Sequence, residues 1–244
     1  MFVKKLSINI LTLYEMFYKG LRRGILIFYA NTFKLLTSKH MRLQKGDSNM
    51  QFQLQFITDE LPQTPVHINQ RTAVRGVIHY QNKILMVQTN RGDYKFPGGG
   101  LEEGETEKET LLREITEETG YTDIHIGVKI GETFEQNIDT EDPESYFQMK
   151  SCYYECWLMS DKRAPGVQDD YEEKLGFRGI FVTVEEAYQS NLSLLKREQK
   201  KMHDFLQKSY ITQMDQKIKE QVTFAPEIPW LERETQVLYK LNRT

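Results

Sequence analysis

The sequence predicts a fold of the α+β class, because β-rich runs surround one helix that carries clear start and stop signals. Thr106 followed three residues later by Glu109 forms a capping box, and Gly120 supplies a C-cap, so a helix is predicted over residues 106–119. Runs of β-branched and aromatic residues are typical of strands. They lie at residues 73–79, 84–88, 124–134, 146–159 and 177–182.

Four segments follow from composition. Residues 1–45 are a basic, apolar extension, and residues 46–70 are a polar linker with one edge strand at 52–57. Residues 71–190 form the main domain, and residues 191–244 are a helical extension. Apolar side chains recur every fourth residue from Met202 to Val222, which predicts a helix packed on the domain or, alternatively, a helix that forms a homodimer.

Residues 1–40 combine lysines and arginines with Phe, Tyr and Leu. Their longest uncharged run has ten residues, about half of what a membrane-spanning helix needs. Three interpretations stay open: a translated leader without a native role that ends before Met41 or Met50, a helix lying on a membrane surface, and a helix packed on a neighbour.

Charge and cysteine content narrow the function classes. Residues 1–50 carry nine Lys and Arg against two Asp and Glu, which leaves the rest with 23 basic and 33 acidic residues. An acidic body argues against binding DNA and against acting on RNA 5′ ends, because nucleic-acid affinity comes mainly from phosphate neutralisation. Cys152 and Cys156 lie about 13 Å apart on one predicted strand, too far for a disulfide. A reducing, cytoplasmic location is expected.

Three carboxylates share one face of the predicted helix. Glu114, Glu117 and Glu118 are spaced i, i+3 and i+4, and like charges so placed repel by roughly 0.2–0.5 kcal/mol per pair. A divalent cation would turn that repulsion into coordination, and hard oxygen ligands suit Mg²⁺ or Mn²⁺. The alternative is a solvated acidic helix. Gly98, Gly99 and Gly100 precede this helix and let the backbone approach a ligand closely.

The spacing of these residues resembles the signature of the Nudix hydrolases, G-x5-E-x7-R-E-U-x-E-E-x-G-U, where U is a bulky aliphatic residue. The corresponding positions are Gly99, Glu105, Arg113, Glu114, Ile115, Glu117, Glu118, Gly120 and Tyr121. Eight of the nine match, and the aromatic Tyr121 departs from the pattern at a packing position. The resemblance implies an α/β/α sandwich around a mixed β-sheet.

The resemblance also implies a reaction and roles for residues. Nudix hydrolases break a pyrophosphate bond in nucleoside diphosphates linked to another group. Glu114, Glu117 and Glu118 would then hold Mg²⁺ or Mn²⁺, Arg113 would orient a glutamate, and Glu105 would supply a ligand or support the loop. Gly98, Gly99 and Gly100 would shape the turn beside the ion. The general base would come from a later acidic loop, where Glu173 is the first candidate and Glu172, Asp169 and Asp170 are alternatives.

The substrate is not specified by this signature. A nucleoside triphosphate, ordinary or oxidised, is the first expectation, and ADP-ribose or a dinucleotide is the alternative. The rival from another class is a non-catalytic module that senses a nucleotide and signals through the C-terminal helices. Because all catalytic-type carboxylates of the signature are present, the sequence favours the enzyme.

Overall fold

A computed structural model of the chain describes residues 50–57, 65–139, 142, 144–164, 174–215 and 228–243. Residues 1–45, with their predicted membrane contact, and Glu173 with its three alternatives lie outside the described residues. The elements in chain order are β1 (Phe52–Ile57), β2 (Ile68–Tyr80), β3 (Lys83–Gln88), β4 (Tyr94–Lys95), α1 (Glu107–Thr119), β5 (Ile124–Ile138), β6 (Tyr146–Leu158), β7 (Arg178–Val182), α2 (Val184–Asp215) and α3 (Leu231–Leu241).

Seven strands form one mixed sheet in the order β1-β5-β6-β2-β3-β4, with β7 also paired to β3. β1 is parallel to β5 and β2 is parallel to β6, whereas the other pairs are antiparallel. The two long strands β2 and β6 run side by side over twelve residue pairs, from Ile68 and Tyr146 to His79 and Trp157. The mixed sheet implied by the signature is therefore confirmed.

Helices cover both faces of this sheet. On one face, Leu111 and Ile115 of α1 pack in a cluster that contains Val74 and Ile78 of β2. On the other face, Val237 and Leu238 of α3 join Ala187 of α2 and Val77 of β2. Successive side chains of a strand point to opposite faces, so β2 contributes to both clusters. This arrangement is the expected α/β/α sandwich.

Local signals predicted the helix starts well. The predicted capping box of Thr106 with Glu109 forms, and Gly120 ends α1 in the left-handed conformation at φ 78°. A second capping box, of Thr183 with Glu186, precedes α2. Tyr121, which departs from the signature, is 3% exposed and meets Phe181 edge to face, so an aromatic side chain is accommodated there. The departure from the signature therefore lies at a packing position.

Several element limits differ from the prediction. β2 begins at Ile68, inside the predicted 46–70 linker, and β5 continues to Ile138 through residues expected to be a loop. Both extensions pair with neighbouring strands, which supply hydrogen bonds that the local sequence does not reveal. Leu112 of α1 is 38% exposed although the adjacent Leu111 is buried, because successive residues of a helix lie about 100° apart around its axis.

The remaining sequence features are placed as follows. Both cysteines are free and buried. In the part of the chain that the structure describes, no helix combines the length and apolarity that crossing a bilayer requires. α2 runs to Asp215. The structure does not describe the side chains that make up the predicted apolar ridge from Met202 to Val222.

Candidate active site

The glycine turn, residues 96–101, connects β4 to the loop before α1 and lies along β2. Val74 N–H donates to Gly99 O at 2.9 Å, and Gly76 N–H donates to Pro97 O at 2.9 Å. Gly98 adopts φ 137°, and a Cβ there would overlap the carbonyl oxygen of Val74. Glycine is therefore required at this position by both conformation and space. The turn is therefore hydrogen-bonded to β2, which is one of the central strands of the sheet.

Two of the predicted metal glutamates lie against this turn. The Glu118 side chain is 1% exposed, and its Oε2 accepts a hydrogen bond from Gly98 N–H at 2.8 Å. Its Oε1 lies 2.6 Å from Nζ of Lys95. The carboxyl group of Glu114 fills the space that a Cβ on Gly99 would need. The absence of a side chain at Gly99 thus makes room for the Glu114 carboxylate.

The environment of Glu114 disfavours negative charge. Burial, followed by the nearby charge of Glu118, raises the pKa of Glu114 above its ordinary value, while Arg113 opposes that rise. A half-buried carboxylate, Glu114, therefore lies beside a buried one, Glu118, at the turn. A carboxyl group whose pKa is shifted by burial and by a neighbouring charge, as that of Glu114 is, is typical of functional sites.

Arg113 contacts three other signature positions, Glu105, Glu114 and Glu117. Its Nε and Nη2 donate to the two oxygens of Glu105 at 2.9 and 3.0 Å. Its Nη1 lies 3.0 Å from Glu114 Oε1 and 3.1 Å from Glu117 Oε2. The hydrogen bonds from Arg113 and then Thr110 lower the pKa of Glu105 to about 2. Glu105 is thus placed to hold Arg113, which in turn holds the other two carboxylates.

The donor chemistry of the site fits a hard divalent cation. Glu114 and Glu117 already converge on one positive nitrogen of Arg113, and Glu118 meets a second positive group, Lys95. Among the residues that the structure describes, no three acidic, histidine or cysteine side chains form a compact metal-binding cluster. The residues that could hold Mg²⁺ or Mn²⁺ remain Glu114, Glu117 and Glu118, and an ion bound by all three would replace Arg113 and Lys95 as their counter-charge.

Two arginines of β2 border the turn and were not singled out by the sequence. Arg75, 8% exposed, donates from Nη1 to Gly98 O and so supports the turn from the opposite face of the sheet. The guanidinium of Arg71 lies 2.7 Å from the position that a Cβ on Gly100 would take. Arg71 is exposed, and its side chain has no hydrogen-bond or ion-pair partner among the described residues. It is therefore available to an anionic ligand at the turn.

A group of buried polar atoms lies on the sheet face that α2 and α3 cover. Arg75 Nε, Thr133 Oγ1, Ser151 Oγ and Tyr153 OH have no hydrogen-bond partner within the described parts of the chain. Arg75 is paired with Tyr153 across β2 and β6, and Ser151 is paired with Thr133 across β6 and β5, so the four are neighbours. Buried polar groups are nearly always hydrogen-bonded. This region can therefore accept water or a polar ligand group, a feature that alternation in single strands did not reveal.

Comparisons with known proteins agree with this geometry. The family model described as the NUDIX domain matches residues 69–208. An ADP-ribose pyrophosphatase of Methanocaldococcus jannaschii is 38% identical over 65 residues, which are 25% of this chain and 38% of that protein. The matched region thus spans well under half of that relative's length.

Two solved structures are also similar. An ADP-ribose pyrophosphatase from Streptococcus suis has 19% identity and a TM-score of 0.33 over 47% of this chain and 75% of its own. A NUDIX hydrolase from Nitrosomonas europaea has 21% identity and a TM-score of 0.36 over 50% of this chain and 78% of its own. Such values support no inference about activity. The family match, in contrast, covers more than half of the chain and includes the glycine turn and all of α1, so the protein belongs to the Nudix family.

Proposed function

We propose that the protein is a divalent-cation-dependent pyrophosphohydrolase that acts on a nucleoside diphosphate linked to another group. In this reaction the oxygen of water forms a bond to phosphorus, and the bridging P–O bond breaks. The leaving phosphate keeps the electron pair, and the proton of the water passes to a base. Positioning and neutralisation of phosphate charge supply most of the acceleration in such reactions.

The observation that carries the proposal is the contact between α1 and the glycine turn. Glu114 lies directly against Gly99, and Glu118 accepts a hydrogen bond from Gly98 N–H. The carboxylates are therefore held against the glycine backbone by a close approach that a residue with a side chain would prevent. A purely solvated acidic helix would leave these side chains in water, whereas Glu118 is buried.

Glu114, Glu117 and Glu118 are the residues that would hold the cation. A bound Mg²⁺ supplies Lewis acidity towards phosphate oxygens and lowers the pKa of a coordinated water. Arg113 orients two of these glutamates through its contacts at 3.0 and 3.1 Å, and Glu105 fixes Arg113. The proposed roles of Glu114 and Glu117 therefore depend on one arginine, whereas Glu118 is held by Lys95 and Gly98 N–H.

Other residues of the chain would bind the substrate and move the proton. Arg71, exposed beside Gly100, is placed to donate to a phosphate oxygen, since a guanidinium matches phosphate geometry with two parallel donors. Glu173 remains the first prediction for the general base, with Glu172, Asp169 and Asp170 as alternatives.

Two substrate classes remain in the proposal. A nucleoside triphosphate, ordinary or oxidised, is the first. ADP-ribose or a dinucleotide is the second, and the similarity to the Methanocaldococcus jannaschii ADP-ribose pyrophosphatase favours ADP-ribose within it. A panel of both classes with Mg²⁺, followed by chromatography of the products, separates them, because release of a nucleoside monophosphate with pyrophosphate differs from release of AMP with ribose 5-phosphate.

The decisive variant is Glu117→Gln, because it removes a predicted metal ligand whose side chain is 37% exposed and therefore contributes little to the packed core. Turnover should fall about a hundredfold or more, while circular dichroism stays unchanged. Glu103→Gln is the matched control, since Glu103 is exposed in the loop before α1. Full activity of the Glu117 variant would refute the metal assignment. A wild-type protein that binds nucleotides and hydrolyses none of them would establish the non-catalytic sensor instead.

A further inference from the structure

The C-terminal helix α3 lies outside the residues matched by the family, yet it contacts the strand that leads into the glycine turn. Glu234 Oε2 accepts a hydrogen bond from Phe96 N–H at 3.2 Å. Trp230, just before α3, donates from Nε1 to Asp93 Oδ2 at 2.7 Å. These two contacts hold the segment 93–96 from both of its ends.

Glu234 is a fully buried charge whose two oxygens have different partners. Its Oε1 lies 3.1 Å from Nε and 2.8 Å from Nη2 of Arg233, and Arg233 Nη1 reaches Glu135 Oε2 at 2.5 Å. Apolar residues could replace a buried ion pair without loss of stability. The remaining oxygen, Oε2, is directed at the backbone of the turn. This division of partners indicates that Arg233 orients Glu234 towards Phe96.

Lys95 extends the connection to the catalytic carboxylate. Its Nζ lies 4.4 Å from the ring centre of Phe177 and 5.7 Å from that of Trp230, so aromatic faces attract the charge on both sides. The same Nζ lies 2.6 Å from Glu118 Oε1. Trp230 therefore helps to direct the lysine at a glutamate of the candidate site.

The two hydrogen-bond partners of Glu118 lie within the held segment 93–96 or directly after it. Lys95 immediately precedes Phe96, and Gly98, which donates to Glu118 Oε2 at 2.8 Å, follows two residues after it. Asn191 of α2 fixes the neighbouring Tyr94 through bonds of 2.8 Å to its N–H and its carbonyl. A displacement of α3 would thus be transmitted to Glu118, while Asn191 limits motion only at the start of the segment.

We propose that Glu234 and Trp230 are positioning residues of the active site, through which α3 fixes the backbone of residues 93–98 and the direction of the Glu118 carboxylate. The proposal rests on the proposed function for its catalytic consequence. Neither residue would touch the substrate. Without the contacts from Glu234 and Trp230, the helix α1 would remain folded. The glycine turn and Lys95 would then be held only by their other contacts.

The test uses two single variants of the full chain. Glu234→Gln keeps the size of the side chain and removes its charge, and Trp230→Phe keeps an aromatic ring and removes the indole donor. Leu241→Ala is the control, because it weakens packing of the same helix seven residues from Glu234. Amide hydrogen exchange by mass spectrometry should increase in residues 94–100 of both variants beyond its level in the control. Trp230→Phe keeps an aromatic ring near Lys95 and remains informative if Glu234→Gln does not fold.

Two further measurements distinguish positioning from structural support. The value of kcat should fall about tenfold to a hundredfold with KM within about threefold, and the Kd for Mn²⁺, measured by electron paramagnetic resonance, should rise about tenfold. Exchange equal to that of Leu241→Ala would overturn the proposal. So would increased exchange with unchanged kcat and Mn²⁺ affinity. If the wild type hydrolyses nothing, the proposed function fails, and exchange with Mn²⁺ affinity decides the positioning role by the same criteria.

Discussion

Glu118 and Glu117 should respond differently to the same change to glutamine. The Glu118 side chain is 1% exposed and is paired with Lys95, which is 11% exposed, whereas Glu117 is 37% exposed and shares Arg113 with other glutamates. Removing one charge of a buried pair leaves the other uncompensated and costs about 3–5 kcal/mol, while an exposed pair contributes about 0–1 kcal/mol. The free energy of unfolding therefore distinguishes Glu118→Gln from Glu117→Gln, whereas turnover does not.

The geometry sets the size of the effect. Lys95 and Gly98 N–H donate to different oxygens of Glu118. A glutamine at position 118 has only one carbonyl oxygen, so it can accept a hydrogen bond from either donor, although not from both. We therefore expect the lower end of the range, about 3 kcal/mol, for Glu118→Gln and below about 1 kcal/mol for Glu117→Gln. At about 2–4 °C per kcal/mol for a domain of this size, the melting temperature falls by roughly 6–12 °C in the first case.

Urea unfolding followed by circular dichroism measures the free energy of unfolding, and product release measures turnover. Both single variants should lose turnover. The double variant Lys95→Met with Glu118→Gln removes both buried charges, so it should regain part of the lost stability without regaining activity. A Glu118→Gln melting temperature within about 2 °C of the wild type, or a double variant less stable than the single one, would refute the reasoning.

Three further predictions concern residues around the site. Arg71→Ala should raise KM about tenfold with kcat nearly unchanged, since a charge-assisted hydrogen bond to phosphate contributes about 1.5–3 kcal/mol; steady-state kinetics measure both. Tyr153→Phe should leave the free energy of unfolding unchanged or raise it by about 1 kcal/mol, because the described residues offer its buried hydroxyl no partner; urea unfolding measures this. Hydrogen bonds from Arg113 and Thr110 lower the pKa of Glu105 from 4.5 to about 2, so their stabilisation is complete above 4.5 and is lost as the pH falls towards 2. Glu105→Gln should flatten acid unfolding over this interval, as followed by circular dichroism.

Each of these has a contradicting outcome. A lower kcat with unchanged KM in Arg71→Ala would mean that the guanidinium stabilises the transition state or has a structural role. The KM of Arg71→Lys should lie between those of the wild type and of Arg71→Ala. A clear loss of stability in Tyr153→Phe would mean that its hydroxyl is satisfied in solution. An acid-unfolding curve of Glu105→Gln that overlays the wild type would contradict the lowered pKa.

The local signals of the sequence predicted the helix α1 and its limits correctly. Thr106, Glu109 and Gly120 act within one or two turns of each other, so their spacing is sufficient evidence. The extensions of β2 from Ile68 and of β5 to Ile138 could not be predicted in this way, because strand length depends on partners far along the chain.

The sequence by itself determined the chemistry: which carboxylates exist, that three share one helical face, and that glycines precede them. The tertiary structure alone decided which cations and backbone groups those carboxylates meet. Lys95 reaches Glu118 across 23 positions, and Glu234 reaches Phe96 across 138. The physical reason is that spacing along a helix fixes which side chains share a face, whereas contacts between elements depend on the path of the whole chain.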